Sequence, residues 1–273
     1  MDKRVRMIQL TVAQFSLVAN AFSFTVGTLG IATAFFFLQR SEVAPRYRVT
    51  VTILGLVTMI ATYSYVRLLE RWNNAFTVVN GMVQNTGQLY DDTYRYADWL
   101  MTVPLLLVAF VLILDLPAKQ AIVRSTVFAL LAVDMIATGY PGQMATTVDA
   151  RWFWFAASMF PYTLIIFQLY IGLAAYIRQQ PPNARGLVKA ARTLTVLVWA
   201  FYPAVYVLPL LNIGGTDAFV ATQIGYALAD ISAKAAYGIV LYMVAVRKSQ
   251  PAGQAMALPA FQSDALRTGV AAE

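Results

Sequence analysis

The chain has 273 residues, 59% of them hydrophobic and only 12% charged, with a mean hydropathy of +0.62. Soluble domains carry about 25% charged residues, so the composition is that of a membrane protein, one domain-sized bundle rather than several. There is no cysteine and no histidine, which excludes disulfides, thiol catalysis, Cys-ligated metals and a Ser-His-Asp arrangement, and argues against an enzyme.

The N-terminus MDKRVRMIQL is basic and leads into an apolar run that continues to Leu38. No small-residue cleavage site closes it early, so it reads as a retained first span rather than a signal peptide. A span needs about 20 apolar residues. Seven such stretches follow one another, at about 10–38, 47–69, 90–114, 120–140, 150–177, 188–212 and 219–246. The separators QRSEVAPRYR, DLPAKQ, YPGQMATT, RQQPPNARG and LNIGGTD are rich in Pro, Gly and charge and read as loops. The one long loop, about 70–89, contains AFTVV, then NG, then MVQ, the pattern of a short β-hairpin. The expected fold is therefore an all-α membrane protein, a seven-transmembrane-helix bundle over 1–250 with a β-hairpin between helices 2 and 3. The small, polar residues 251–273 read as a disordered cytoplasmic tail.

Placing the N-terminus outside puts twelve Lys and Arg on the inner side against six on the outer. That favours N-out and C-in across a cell (inner) membrane, with Lys3, Arg4 and Arg6 pulling the other way. The net charge of +7 follows from this loop bias and gives no reason to expect a nucleic-acid partner; the lipid bilayer is the partner implied.

Two cations remain inside spans, Arg95 in the third and Lys234 in the seventh. An ionisable group there costs a few kcal/mol and marks a function or a buried pair. A buried lysine that loses its proton is a nucleophile able to form a Schiff base with an aldehyde. Asp230 lies one turn before Lys234 on the same face, so a plain Lys–Asp ion pair is the competing reading, and spacing leaves both open. Arg95, Asp98 and Thr102 share one face of the third helix. Two carboxylates and one arginine facing one lysine balance to zero, as a protonated Schiff base with a counterion complex requires. Trp199, Tyr202 and Tyr206 recur at i, i+3, i+7 around Pro203, a stripe that serves as packing or as the wall of a cofactor slot.

RYADWLMTVPLLL, WAFYPAVY and LADISAKAAYG together resemble the microbial (type 1) rhodopsins, and the resemblance covers the chain from the second span to the seventh. ATGYPGQ at 137–143 and the hairpin loop look closer to the bacterial sodium-pump and proteorhodopsin branches than to the archaeal one. The resemblance implies all-trans retinal bound as a covalent Schiff base to Lys234. It implies Asp98 as primary counterion and proton acceptor, Asp230 as second counterion, Arg95 just outside them and swinging between carboxylate and exit path, and Thr102 supporting Asp98 by a hydrogen bond. Trp99 and Trp199 would sandwich the polyene, with Tyr202 and Phe155 beside it. Tyr65 and Tyr206 would hold the counterion region and ring end, and Met135 and Gly139 would lie near the ionone ring. Leu106 stands where blue-absorbing relatives have Gln, which implies green absorption. Phe155 stands where relatives carrying a carotenoid antenna have glycine, which argues against such a slot.

The family's ion is read from three positions on the third helix, here Asp98, Thr102 and Ala109. The first two fit a proton pump, and Asp230 favours outward transport because inward-pumping relatives typically have Pro there. Ala109 departs from the pattern: it lies eleven residues from Asp98, about 16 Å along the helix, where proton pumps usually carry an Asp or Glu donor. Ser64 departs too, standing where proteorhodopsins have a histidine that pairs with the counterion. The implied function is an outward proton pump without a carboxylate donor; the alternative is a sensory photoreceptor with a slow photocycle, and a light-gated channel fits least. The branch often forms pentamers or trimers, which implies a homo-oligomer. Asp134, in mid-span, reads as a buried structural carboxyl rather than a proton relay. Glu70 and Asp217 read as solvated groups near the outer face, and Asp115 as a helix end or an alternative source of protons.

Overall fold

A computed structural model describes residues 9–250; the tail assigned to 251–273, and Lys3, Arg4 and Arg6, lie outside them. Among the described residues seven helices are long and apolar enough to cross a membrane: α1 (Val12–Glu42), α2 (Pro45–Ala75), α3 (Tyr94–Ile113), α4 (Ala118–Met144), α5 (Val148–Gly172), α6 (Pro182–Leu211) and α7 (Thr216–Ser249). The seven-span expectation holds, and the chain is a multi-pass membrane protein. Most boundaries moved outward from the composition breaks. Pro45 and Pro182 sit in the first turns of α2 and α6, where proline's missing N–H costs nothing, so PRYR and PNARG are helix, not loop. Pro141 lies inside α4, and ERWNNA extends α2 to the hairpin.

Helix starts are set locally. Thr11 and Gln14 form a reciprocal capping box at the start of α1, with Gln14 N donating to Thr11 Oγ1 (3.2 Å) and Thr11 N to Gln14 Oε1 (2.9 Å). The hairpin is as the Asn-Gly dipeptide indicated. Strands β1 (Phe76–Val79) and β2 (Met82–Asn85) pair antiparallel with Phe76 opposite Asn85 and Val79 opposite Met82. Asn80 (φ 50°) and Gly81 (φ 75°) both turn left-handed, as a two-residue turn matched to strand twist requires.

Consecutive helices pack side by side from α1 to α5, and α7 packs on α6 and returns to α1. Phe155 stacks on Tyr206 across α5 and α6, with centroids 5.4 Å apart. α3 and α7 are the most enclosed helices, whereas α4 to α6 turn Leu130, Phe160 and Leu197 outward, as helices facing hydrocarbon should. On α3 the buried positions run Arg95, Asp98/Trp99, Thr102/Val103, Leu106/Leu107 and Ala109/Phe110. This 3–4 spacing makes one face polar at its start and apolar at its end. In α7 the segment Ile231–Ala236 is wound as a π-helix around Lys234, a local widening that often marks functional sites.

Asp134 is a correction. It is exposed on α4 beside Val133, not buried. The inward stripe of α4 is Phe128, Ala132, Met135 and Ile136, and two residues past Ala132 the helix has turned about 200°.

Candidate functional site: a buried lysine between two carboxylates

Lys234 projects from the π-wound turn of α7 into the bundle and is 2% exposed. Its Nζ donates to Asp98 Oδ2 on α3 at 2.7 Å and to Asp230 Oδ1 on its own helix at 2.7 Å. The two carboxylates differ in what else they bind. Asp230 also accepts the Tyr202 hydroxyl on Oδ1 and the Tyr65 hydroxyl on Oδ2, each at 2.8 Å. Asp98 has only Lys234; its Oδ1 is buried with no partner. Thr102 does hydrogen-bond Asp98, at its backbone and not at its carboxylate. Its hydroxyl donates to the Asp98 backbone carbonyl at 2.9 Å, because a threonine four residues on in a helix reaches the i−4 carbonyl first.

Arg95 sits one turn before Asp98 and is 2% exposed. Its Nη1 donates to Tyr65 Oη at 3.0 Å and lies 3.8 Å from Asp230 Oδ2. Its Nη2 donates to Gln223 Oε1 at 2.9 Å. The guanidinium also rests over the Tyr226 ring at 4.9 Å, a cation–π contact. Ser64, where the histidine was missed, is buried on α2.

Lys234 and Asp230 stand in the wall of an otherwise apolar slot. Trp99 and Trp199 line it, with Leu106, Tyr202, Met135 and Gly139. Phe155 and Tyr206 line it too, while the Tyr206 hydroxyl donates to the Arg151 carbonyl at 3.1 Å. Gly139 matters for space: a Cβ there would meet Ser158 Oγ at 3.3 Å and Tyr96 Cε1 at 3.5 Å. Ser158 is itself held by the Met135 carbonyl at 2.7 Å. An apolar slot with aromatic walls and one amine in its lining has the chemistry for a conjugated aldehyde such as retinal. The buried, unpartnered Asp98 Oδ1 beside that amine fits a site built to take up a proton.

All fourteen expected site positions except Tyr65, Arg95, Asp98 and Thr102 line this slot; Tyr65, Arg95 and Asp98 belong to the polar cluster at the lysine, and Thr102 is buried one turn past Asp98 on α3. Sequence reasoning missed Tyr96, Tyr226 and Ser158 in the wall, and Gln223, Asp92 and Tyr90 behind Arg95. Gln223 and Tyr226 were findable: they lie seven and four residues before Asp230, on the face that carries Asp230 and Lys234. Nothing in the sequence singled out Ser158.

Residues 17–248 match the family of bacteriorhodopsin-like proteins. The chain belongs to that family. It is a microbial rhodopsin by sequence and by fold. It is 32% identical to the blue-light absorbing proteorhodopsin of Gamma-proteobacterium Hot 75m4, over 84% of this chain and 87% of that one. It is 29% identical to the bacteriorhodopsin of Halobacterium salinarum, over 78% of each. Among solved structures it is similar to xanthorhodopsin, described as a light-driven ion pump with dual chromophore, at 40% identity and a TM-score of 0.86 over 88% of this chain and 96% of that one. It is also similar to thermophilic rhodopsin, at 38% identity and a TM-score of 0.86 over 89% and 98%.

Proposed function

We propose that this rhodopsin is a light-driven outward proton pump of the cell membrane, with its N-terminus outside and its C-terminus cytoplasmic. All-trans retinal joined to Lys234 as a Schiff base would supply light absorption, in the green given Leu106, and an isomerisation that redirects the proton on the lysine nitrogen. The observation that carries the reading is the Lys234 Nζ held at 2.7 Å from each of two unequal carboxylates. Asp230 already serves three donors, Lys234, Tyr202 and Tyr65, and a carboxylate so engaged is a poor proton acceptor. Asp98 has a free oxygen, so the lysine's proton goes to Asp98. Trp99 and Trp199 keep the slot narrow, and Met135, Gly139 and Phe155 bound its far end.

Direction is supported by what flanks the lysine. On one side lie Tyr65, Arg95 and Gln223, all buried and hydrogen-bonded. On the other lie Leu54, Leu106, Ala109, Phe110 and Leu241, all buried and apolar. A proton leaves through the first and must be replaced through the second. Ala109 holds no proton to donate, so replacement comes from cytoplasmic water or another group such as Asp115, slowly and in proportion to cytoplasmic acidity.

The test uses unbuffered cells expressing the protein with added retinal. Illumination is expected to acidify the medium, an effect abolished by a protonophore and absent in Asp98→Asn. A coloured protein that moves no protons would sink the pump and favour a sensory photoreceptor. Alkalinisation abolished by the protonophore would reverse the direction assigned from Asp230.

A further inference from the structure

Two arginines are buried in this bundle, and their surroundings differ. Arg95 has a carboxylate on either side, Asp230 and Asp92, and donates to Tyr65 and Gln223. Arg151, in the first turn of α5, is 8% exposed. Among the described residues its guanidinium makes no ion pair and donates no hydrogen bond, and its Nε is buried with no partner. What it faces is the Tyr206 ring, 5.6 Å from its Cζ, near the limit of a cation–π contact. A buried lysine can escape such a position by losing its proton, but an arginine cannot. A buried charge without a counter-charge is costly, so Arg151 requires an acceptor that its neighbours do not supply.

The nearby carboxylates are turned away or engaged. Asp149 is exposed and lies two residues before Arg151, about 200° round the helix. Asp92 accepts Gln223 Nε2 at 3.0 Å and stands 3.9 Å from Arg95 Nε. Tyr206 gives its hydroxyl proton to the Arg151 carbonyl at 3.1 Å. That hydroxyl is also pinned against Gly142, where a Cβ would overlap both it and Trp154. Tyr96, across on α3, stands within reach of the Arg151 charge and adds a second phenol to the slot wall there. The turn just outside, Gln143–Asp149, is exposed except at Ala145, so outer water has access. The place combines a fixed positive charge, crowded walls and a way in from outside.

We propose that Arg151 binds a small monovalent anion, chloride in ordinary salt, at the outer end of α5 beside Tyr206. One negative charge balances the guanidinium, whereas a divalent oxyanion would leave a charge over in a buried place. A guanidinium is weakly hydrated, which suits a halide that gives up its own water readily. The lysine cluster is a poor rival for the ion, because Asp98 and Asp230 already stand 2.7 Å from Lys234 and repel a third negative charge. The site does not depend on the pump reading. It does bear on colour. Arg151, Phe155 and Ser158 fall at i, i+4 and i+7 on one face of α5, and the last two line the slot at the end assigned above to the ring. Excitation moves the positive charge of a protonated Schiff-base polyene from the nitrogen toward the ring. A bare cation one turn from the ring opposes that movement and raises the excitation energy; a bound anion cancels the opposition.

The experiment exchanges chloride for gluconate at constant ionic strength near pH 7, on the purified full-length protein with and without retinal. Adding chloride back is expected to raise the melting temperature saturably in both forms. At ten times the half-saturating concentration the rise should be about 3–6 °C. In the retinal-loaded form the visible band should move to the red over the same concentrations. Arg151→Gln should abolish both responses, and the control Asp149→Asn should keep them. If Arg151→Gln does not fold, Arg151→Lys serves instead: it keeps the charge, loses the planar fork, and should raise the half-saturating concentration. A melting temperature indifferent to chloride in both forms of the unsubstituted protein would overturn the proposal. So would a chloride response that stays at the same concentration and size in Arg151→Gln, or in Arg151→Lys where that is the variant that folds, because the ion would then sit elsewhere. A saturable rise in melting temperature, lost with Arg151 but without a colour shift, would uphold the anion site and place the ring away from α5.

Discussion

The two halves of the bundle on either side of Lys234 are built from opposite materials. In the Arg95 half, Tyr65, Arg95, Asp98, Gln223 and Asp230 are all buried and joined by bonds of 2.7 to 3.0 Å. In the Ala109 half, Val51, Leu54, Leu107, Ala109, Phe110 and Leu241 are equally buried and wholly apolar. A buried charge is tolerated only when paired, so the Arg95 half is a rigid network in which each group positions the next. These apolar residues carry no such constraint and no proton of their own. On the pump reading, the asymmetry would separate fast proton departure on one side from slow resupply on the other.

Removing the cation at the centre is the largest disruption. Lys234→Ala leaves Asp98 and Asp230 to share a buried site without their ammonium, and breaking a buried pair in this way costs about 3–5 kcal/mol. No coloured pigment should form with added retinal, and thermal unfolding in detergent should shift down well beyond any other substitution in the network. A coloured Lys234→Ala protein would mean that the attachment site lies elsewhere.

Tyr65→Phe tests whether the polar half is a network or a set of separate pairs. The hydroxyl accepts from Arg95 at 3.0 Å and donates to Asp230 at 2.8 Å. Its loss leaves two charged groups each short of a partner, expected to cost about 1.5–3 kcal/mol, read as a lower melting temperature and a shifted visible band. An unshifted band would show that Asp230 is held without it.

Ala109→Asp moves the apolar half toward the polar one. A carboxyl there can store a proton for the lysine, so recovery after a flash should speed up by at least about tenfold at alkaline pH, within the usual range for a placed acid. Its dependence on pH should flatten. The site is 0% exposed, so a stability cost of about 1–3 kcal/mol is expected. Unchanged recovery would show that water already reaches the lysine from that side.

These halves were unequally legible in the sequence. The hydrophobic runs exposed all seven spans, and Asn80–Gly81 exposed the hairpin, because each signal is local. Lys234, Asp230, Asp98 and Arg95 stood out because charge is rare in a span, and helical spacing placed each pair on one face. What could not be read was contact between helices. Asp92 and Gln223 look like ordinary end-of-span polar residues until α3 and α7 bring them to 3.0 Å. Spacing put Thr102 beside Asp98, but not which Asp98 oxygen it bonds, because the backbone carbonyl competes for its hydroxyl. Asp134 was misread because a helix in a bilayer is apolar on both faces, so hydropathy alone does not say which side turns inward. The π-wound turn at Ile231–Ala236 left no recognisable mark in ADISAKAA.

The smallest expected effect separates the rim of the polar half from its core. Asp91 lies in the loop before α3, with its side chain 51% exposed. Burial works against its ionisation, but hydrogen bonds from the Thr93 hydroxyl and backbone N–H, at 2.6 and 2.9 Å, and the Arg71 guanidinium at 3.1 Å outweigh it. The carboxyl is therefore held below its ordinary value. A depressed value in the folded state gives stability that is present above the unfolded carboxyl's value, about 3.9, and is lost as pH falls through the folded one. Solvent screening at this exposure keeps the contribution small. Asp91→Asn should lower the melting temperature slightly near pH 6, and the gap to the unsubstituted protein should close as the pH falls below about 4. A gap that persists at acid pH would assign the effect to the shape of the Asp91–Thr93 turn rather than to its charge, leaving ionised carboxylates stabilising only the interior of this half.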